Sequence, residues 1–286
     1  MQPRVSVVIS FYNGAAFIRE AIASVVAQSL SEWELVLVDD GSTDSSAVIA
    51  KDFVAADRRA RYVTHPGRAN RGLAASRVLG SDTASGLYLL FLDHDDILDP
   101  EALERLAGLL EAHPRAAAVL AATRFWTWDA SGSSRRRVQS YRPLRSGMVQ
   151  GRKFLRYLVL SDDHHPHVCS MMFRRKEFIA ARDTASTWHG MYEDTALLVK
   201  LLAKEDVYLL DEPVSDYRIT SNSMSFTSPR RYSAFLRWTR EVPLDARSRA
   251  VVIRRLVSFE LMRFLSGLRR RVAPSRAART YVHEAK

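Results

Sequence analysis

Strand-like and helix-like stretches alternate along the first 125 residues, and each apolar run ends in polar residues. "VSVVIS" (residues 5–10) is rich in β-branched residues and closes on the turn-like "FYNG". "AAFIREAIASVVAQS" then places Phe17, Ile18, Ala21, Ile22, Val25 and Val26 at helical spacing. The pattern repeats with a strand over 34–38, the polar turn "DDGSTD" and a helix with Thr43 or Ser42 as candidate N-cap. "RYVTH" and "NRGLAASRVLGSD" form a third strand and helix, and "YLLFLD" a fourth strand. "DPEALERLAGLLEAHP" reads as a helix opened by Asp99 and Pro100 and stopped by Pro114, and "AAAVLAATRFW" as a fifth strand. This order predicts an α/β fold, a mostly parallel central sheet flanked by helices. Ligands of such sheets bind beyond the carboxyl ends of the strands. Three strands deliver polar groups there: Ser10, Tyr12 and Asn13; Asp39 and Asp40; and Asp93, Asp95 and Asp96.

Downstream, residues 129–150 are rich in Ser, Gly and Arg and are expected to be a loop or flap. "RKFLRYLVL" resumes as helix, "HVCSMMF" as strand, and "MYEDTALLVKLLAKE" as a periodic helix starting near Glu193. "DVYLLDEPVSDYR" is expected to be a strand followed by a loop. The net charge of +10 is uneven, with +11 in residues 228–286 and −1 in 1–227. The expected division is a catalytic domain over 1–227 (nucleotide half 1–125, acceptor half 151–227) and a basic α-helical extension over 228–286. Two readings of that extension compete: a helical cap on the catalytic domain, or contact with an anionic membrane face. No recognition motif accompanies its arginines, so nucleic acid is not an expected partner. No apolar run is long enough to cross a bilayer and the N-terminus lacks a signal-peptide pattern, which points to the cytosol, with peripheral contact at the inner membrane face if the tail binds it. The single cysteine, Cys169, lies in an apolar stretch and reads as a buried, inert thiol.

The segment "LYLLFLDHDDILDP" raises the central chemical question. Clustered carboxylates raise one another's pKa and cost stability unless positive charge intervenes. A hard divalent cation would offset the repulsion, since Mg²⁺ and Mn²⁺ bind one or two carboxylates and share the remaining shell with substrate phosphates. The bland alternative has Asp96 or Asp99 capping the next helix and the others solvated. His94 is expected to pack rather than ligate. Tyr12 could stack on a base, and Asp40 could accept from an imide N–H; Asp39 and Asp40 could equally be turn or capping residues. Glu193 and Asp194 open a helix, where the dipole favours acids, or supply a general base. No glycine-rich phosphate loop is present, so phosphate would be held by metal and basic side chains.

"VSVVISFYNGAAFIREAIASVVAQSLSEWELVLVDDGSTD", "NRGLAASRVLGSDTASGLYLLFLDHDDILDP" and "YEDTALLVKL" together resemble the family 2 glycosyltransferases of the GT-A (Rossmann-like) fold. The resemblance is close over residues 3–100 and looser over 151–218. It implies an inverting transferase that moves a sugar from a nucleotide diphosphate, usually UDP-linked, with Mg²⁺ or Mn²⁺. By resemblance, Ser10, Tyr12 and Asp40 hold the nucleoside, and Arg71 contacts the nucleotide. Asp93, Asp95 and Asp96 form the D-x-D-type metal motif, with Asp95 also at the ribose, and Asp194 is the catalytic base. The late "YR" of many relatives is followed by a histidine near the metal; here Thr220 stands at that place, and a hydroxyl is a poorer ligand. The expected acceptor is a hydroxyl in cell-surface glycan or polysaccharide synthesis, with a lipid-linked glycan among the candidates. The alternatives are a Mg²⁺-dependent phosphohydrolase using "DHD" as its nucleophile motif, and a sugar-nucleotide-binding protein without turnover.

Overall fold

β1 (Val5–Phe11) runs parallel to β2 (Trp33–Asp39) on one side and to β4 (Tyr88–Asp93) on the other. All seven residues of β1 and of β2 are buried, because helices cover both faces. β3 (Ala60–Thr64) continues the parallel set beyond β2. In the computed structural model the full sheet order is β3-β2-β1-β4-β9-β6-β10-β5, formed by β5 (Ile97–Leu98), β6 (Ala116–Trp128), β9 (Met171–Arg174) and β10 (Asp206–Ile219). β9 lies antiparallel between β4 and β6, whereas β6 and β10 are parallel. The strand order reverses between β1 and β4, which is where open α/β sheets place their ligands.

The described residues are 2–128, 133–160, 166–182 and 193–219. The chain divides into Met1–Val242 and Pro243–Lys286, and every described residue belongs to the first unit. The expected boundary at 227, the basic extension over 228–286 and Thr220 lie outside the described residues. Among the described residues no helix is long and apolar enough to cross a membrane.

α1 (Ile18–Val26) and α4 (Ala102–Ala112) share one core with the sheet. Ile18, Ile22 and Val25 pack with Leu103, Leu106 and Leu110 against Val7, Ile9, Leu90 and Leu92. Each such fully buried side chain stabilises the fold by about 1.5–3 kcal/mol. α2 (Ser46–Ala56) precedes β3, and α3 (Leu73–Thr83) packs on β1 and β2. Gly80 of α3 makes this approach close: an added Cβ would lie 2.3 Å from Val8 Cγ1. Cys169 is fully buried and free, as its apolar surroundings predict.

Five local expectations are revised. Residues 134–139 and 147–149 are strands, β7 (Ser134–Gln139) on β6 and β8 (Gly147–Val149) on β10, not loop. β7 was hidden in the sequence because its arginines occupy both faces and its residues are almost all exposed. The expected strand at "HVCSMMF" begins only at Met171, after a 3₁₀ turn over Val168–Ser170. Residues 206–219 are one bulged strand, not a strand and a loop. The helix expected after "DDGSTD" has no side-chain cap from Ser42 or Thr43. Nor do Asp96 or Asp99 cap α4 with their side chains; Gln28, from the end of α1, accepts the Leu103 N–H at 2.9 Å. α5 (Gly151–Leu160), α6 (Arg175–Ala181) and α7 (Glu193–Lys204) complete the described fold.

Glu34 ties three central elements together at the amino end of the sheet. It accepts from Ser6 Oγ of β1 at 2.6 Å and from the Ser85 amide and hydroxyl just ahead of β4. Burial by itself would raise its pKa, but the bonds from Ser6 and Ser85 and the nearby Arg61 charge outweigh it and hold the carboxyl below its ordinary value. A depressed carboxyl pKa contributes stability above the unfolded-chain value, near 4.5, and loses it as pH falls through the folded value. Glu34→Gln is therefore expected to unfold at lower urea than the parent at pH 7, by about 1–3 kcal/mol. The gap should narrow below pH 4; a gap that is constant with pH would show that the charge is not what stabilises.

Candidate active site

Register alone brings the expected residues to one edge. Ser10 pairs with Asp93 across β1 and β4, and Phe11 pairs with Asp39 across β1 and β2. Ser10 is buried, and among the described residues its hydroxyl has no hydrogen-bond partner. Tyr12, two residues beyond, is 48% exposed and follows directly on the end of β1.

The loops after β1 and β2 are sewn to each other. Asn13 Oδ1 accepts the amides of Thr43 and Asp44, while its own N–H donates to Ser42 Oγ. Asp44 accepts the Ala15 N–H at 3.0 Å and the Ser46 N–H at 2.9 Å. Asp39 accepts the Ser42 N–H and the Tyr62 hydroxyl, and burial together with that bond pushes the phenol up to about 12. Asp40 holds the segment before α3: Oδ1 accepts the Arg71 N–H at 2.7 Å and Oδ2 the Gly72 N–H at 2.8 Å. The Arg71 side chain is exposed. The "DDGSTD" acids thus serve turns and loop anchoring. Each Asp40 oxygen retains one lone pair for a ligand donor.

At the end of β4 the three aspartates have different surroundings. Asp93 accepts from the buried Arg77 of α3 at 2.7 Å. Asp96 is 1% exposed and turns inward, where Oδ1 accepts the Arg218 N–H of β10 at 2.9 Å. The Cys169 thiol lies against it. Burial, reinforced by the Asp95 and Asp93 charges, raises the Asp96 pKa well above the ordinary carboxylate range. Burial also pushes the Cys169 thiol well up. Asp95 is half-buried, and among the described residues no side-chain hydrogen bond reaches its carboxylate. Its pKa is raised by burial first; Asp93 adds to this, while His94 and Arg218 oppose it. His94 packs on the "FYNG" loop, where a Cβ on Gly14 would lie 2.4 Å from its Cδ2.

Arg218 is the residue at this site to which the sequence assigned no role. Its guanidinium lies between the Phe17 ring (4.7 Å) and the Trp126 ring (4.9 Å) and pairs with Glu20 of α1 at 2.6 Å. Arg77 was missed too; its place one turn inside α3 carries no local signal of an aspartate sixteen residues on. Asp194 falls in the first turn of α7, and its side chain lies outside the described residues.

Among the described residues no three His, Cys, Asp or Glu side chains are grouped to hold a metal. The donor set nonetheless suits a Mg²⁺-like cation. Asp95 is a carboxylate that no described side chain hydrogen-bonds and whose charge burial disfavours, and such cations take only one or two carboxylates beside substrate phosphates.

The sequence model described as "Glycosyl transferase family 2" matches residues 6–180. The uncharacterized glycosyltransferase EpsJ of Bacillus subtilis is 42% identical over 106 residues, 37% of this chain and 30% of that protein. An uncharacterized glycosyltransferase of Rickettsia felis is 28% identical over 233 residues, 82% of this chain and 36% of that protein. The chain thus spans about a third of the length of these curated relatives. S. aureus TarS 1-349, solved with UDP-GlcNAc, superposes with a TM-score of 0.65 at 18% identity, covering 87% of this chain and 70% of that one. The mannosyltransferase PcManGT of Pyrobaculum calidifontis, solved with GDP-Man and Mn²⁺, gives 0.62 at 16% identity, covering 90% and 70%. These likenesses show the fold, that of GT-A glycosyltransferases.

The aspartates should separate in stability. Asp96→Ala strands the Arg218 amide and is expected to cost about 1–3 kcal/mol in urea unfolding. Asp95→Ala should leave stability unchanged or raise it at pH 7, because a raised carboxyl pKa favours the fold only while the group is protonated. Equal losses in the two variants would contradict these assignments.

Proposed function

The chain belongs to glycosyl transferase family 2, and from that membership we propose that it moves a sugar from a nucleotide diphosphate, UDP-linked, to a hydroxyl of a cell-surface glycan or polysaccharide. The observation that carries this reading is the Asp95 carboxylate: half-buried, met by no described side-chain donor, and set where the strand order reverses. The nucleotide-sugar complexes of the proteins with the same fold support a nucleotide-diphosphate donor here. The family match lends no support to the phosphohydrolase or the non-catalytic binder.

On this reading Tyr12 stacks on the base and Asp40 accepts its imide N–H with the lone pairs left by Arg71 and Gly72. Asp95, with the Asp93 oxygen that Arg77 does not use, would hold Mg²⁺ or Mn²⁺. Bound there, the cation supplies Lewis-acid stabilisation of charge on the leaving diphosphate. Asp96 acts behind them, fixing the loop to β10. Asp194, at a helix start that favours the ionised carboxylate, takes the proton of the acceptor hydroxyl. The hydroxyl oxygen bonds to the anomeric carbon as the opposite bond to the diphosphate breaks, so the configuration inverts.

Release of UDP from a panel of UDP-sugars with Mn²⁺ tests the reading. The parent should release nucleotide slowly without acceptor and faster with one. Asp194→Ala is expected to lower transfer by about 10²–10⁴-fold while retaining UDP binding. Transfer at the parent rate by folded Asp194→Ala protein would move the base elsewhere. No nucleotide release from any donor, with or without acceptor, would overturn the function.

A further inference from the structure

Residues 130–161 contain eight Arg or Lys and no Asp or Glu, whereas the rest of residues 1–227 is net acidic, at −9. Three of these bases are consecutive on β7, the exposed ribbon strand paired to β6. Alternation divides them. Arg136 is paired with Trp126 in register, and it is already spent: its guanidinium lies 4.5 Å from that ring and pairs with Asp216 at 3.1 Å. Arg135 and Arg137 pair with Thr127 and Phe125 and share the other face. Both are exposed, and among the described residues no carboxylate pairs with either. Arg137 lies over the Phe125 ring at 5.5 Å, which steadies a guanidinium for planar, two-point gripping of an anion.

The ribbon leads to the aspartate loop. Phe125 stands 5.7 Å from the Tyr217 ring, centroid to centroid. Tyr217 immediately precedes Arg218, whose amide holds Asp96. On the other face, the series Arg136, Trp126, Arg218, Phe17 runs from β7 to the start of α1. The two spare arginines are thus built onto the strand pair that positions the proposed donor site, rather than onto a remote surface.

We infer that Arg135 and Arg137 on β7 form an acceptor subsite for an anionic glycan, one carrying phosphate or carboxylate groups near the hydroxyl that is glycosylated. The inference rests on the glycosyl-transfer reading for its place in the reaction. The subsite itself is a binding property that needs no turnover. Two neighbouring guanidinium forks, that of Arg137 resting on Phe125, select phosphate or carboxylate over neutral sugar, and Arg rather than Lys supplies the two-point geometry.

The test is equilibrium binding of the full chain to phosphomannan and to neutral mannan, and to polygalacturonate and its carboxyl-reduced form, at fixed salt. The parent should bind each anionic polymer more tightly than its neutral counterpart. Arg135→Ala/Arg137→Ala should lose about tenfold in affinity for the anionic polymers and nothing for the neutral ones. Arg135→Lys/Arg137→Lys should fall between, and it serves if the alanine variant fails to melt with the parent. Arg269→Ala/Arg270→Ala/Arg271→Ala controls for the basic C-terminal segment. The inference is overturned if the parent does not discriminate, or if discrimination follows the C-terminal triplet and not β7. It is equally overturned if the β7 variant loses binding only to vesicles of anionic phospholipid, which would make this face a membrane contact. Failure of nucleotide release with glycan discrimination intact would instead remove the transferase reading and leave the subsite standing.

Discussion

Three aspartates in four positions at the end of a buried strand repel one another, and the rest of this protein is arranged around that repulsion. Arg77 reaches Asp93 from α3, and the Arg218 amide reaches Asp96 from β10. Each removes one carboxylate from the contest. What remains is Asp95, held close to Asp93 in a half-buried setting that raises its pKa. The chain thus neutralises part of the cluster internally and leaves one carboxylate whose charge is best stabilised by something from outside. A fully satisfied cluster would have had no affinity for a cation, and a wholly unsatisfied one would have cost more stability than a domain can spare.

The same division between structural and available acids recurs at the neighbouring loops. Asp39, Asp40 and Asp44 all accept backbone amides, and together with Asn13 they bind the ends of β1 and β2 into one rim. Acids in this region are therefore not interchangeable evidence for chemistry. A carboxylate receiving two backbone N–H groups is first a piece of loop architecture, and only its remaining lone pairs can meet a ligand.

β10 carries the far half of the site. It begins beside α7, runs parallel to β6, and delivers Asp216, Tyr217 and Arg218 in consecutive positions. Asp216 joins Arg124 and Arg136, Tyr217 meets Phe125 and His167, and Arg218 lies between Phe17 and Trp126. The aspartate loop, the first helix and the arginine ribbon are thus coupled through three adjacent residues of one strand. They lie in regular register with β6, past the last bulge, so strand alternation sends Tyr217 to one face and Asp216 and Arg218 to the other.

Much of this was readable from the sequence. The strand–helix alternation, the carboxyl-end placement of Ser10, Tyr12, Asp40 and Asp93 to Asp96, and the burial of Cys169 all follow from periodicity and local composition. Those properties are set by φ/ψ and side-chain alternation within a few residues. β7 escaped because arginines on both faces erase the apolar–polar alternation that marks a strand. The separation of the three aspartates escaped for a different reason. Which of them accepts Arg77, which accepts the Arg218 amide across 122 positions, and which meets no described side-chain donor depends on α3 and β10 being laid beside the β4 loop. Local spacing determined that carboxylates would meet at this edge. Only long-range packing, which brings distant donors within about 3 Å, decided which of them the described donors reach.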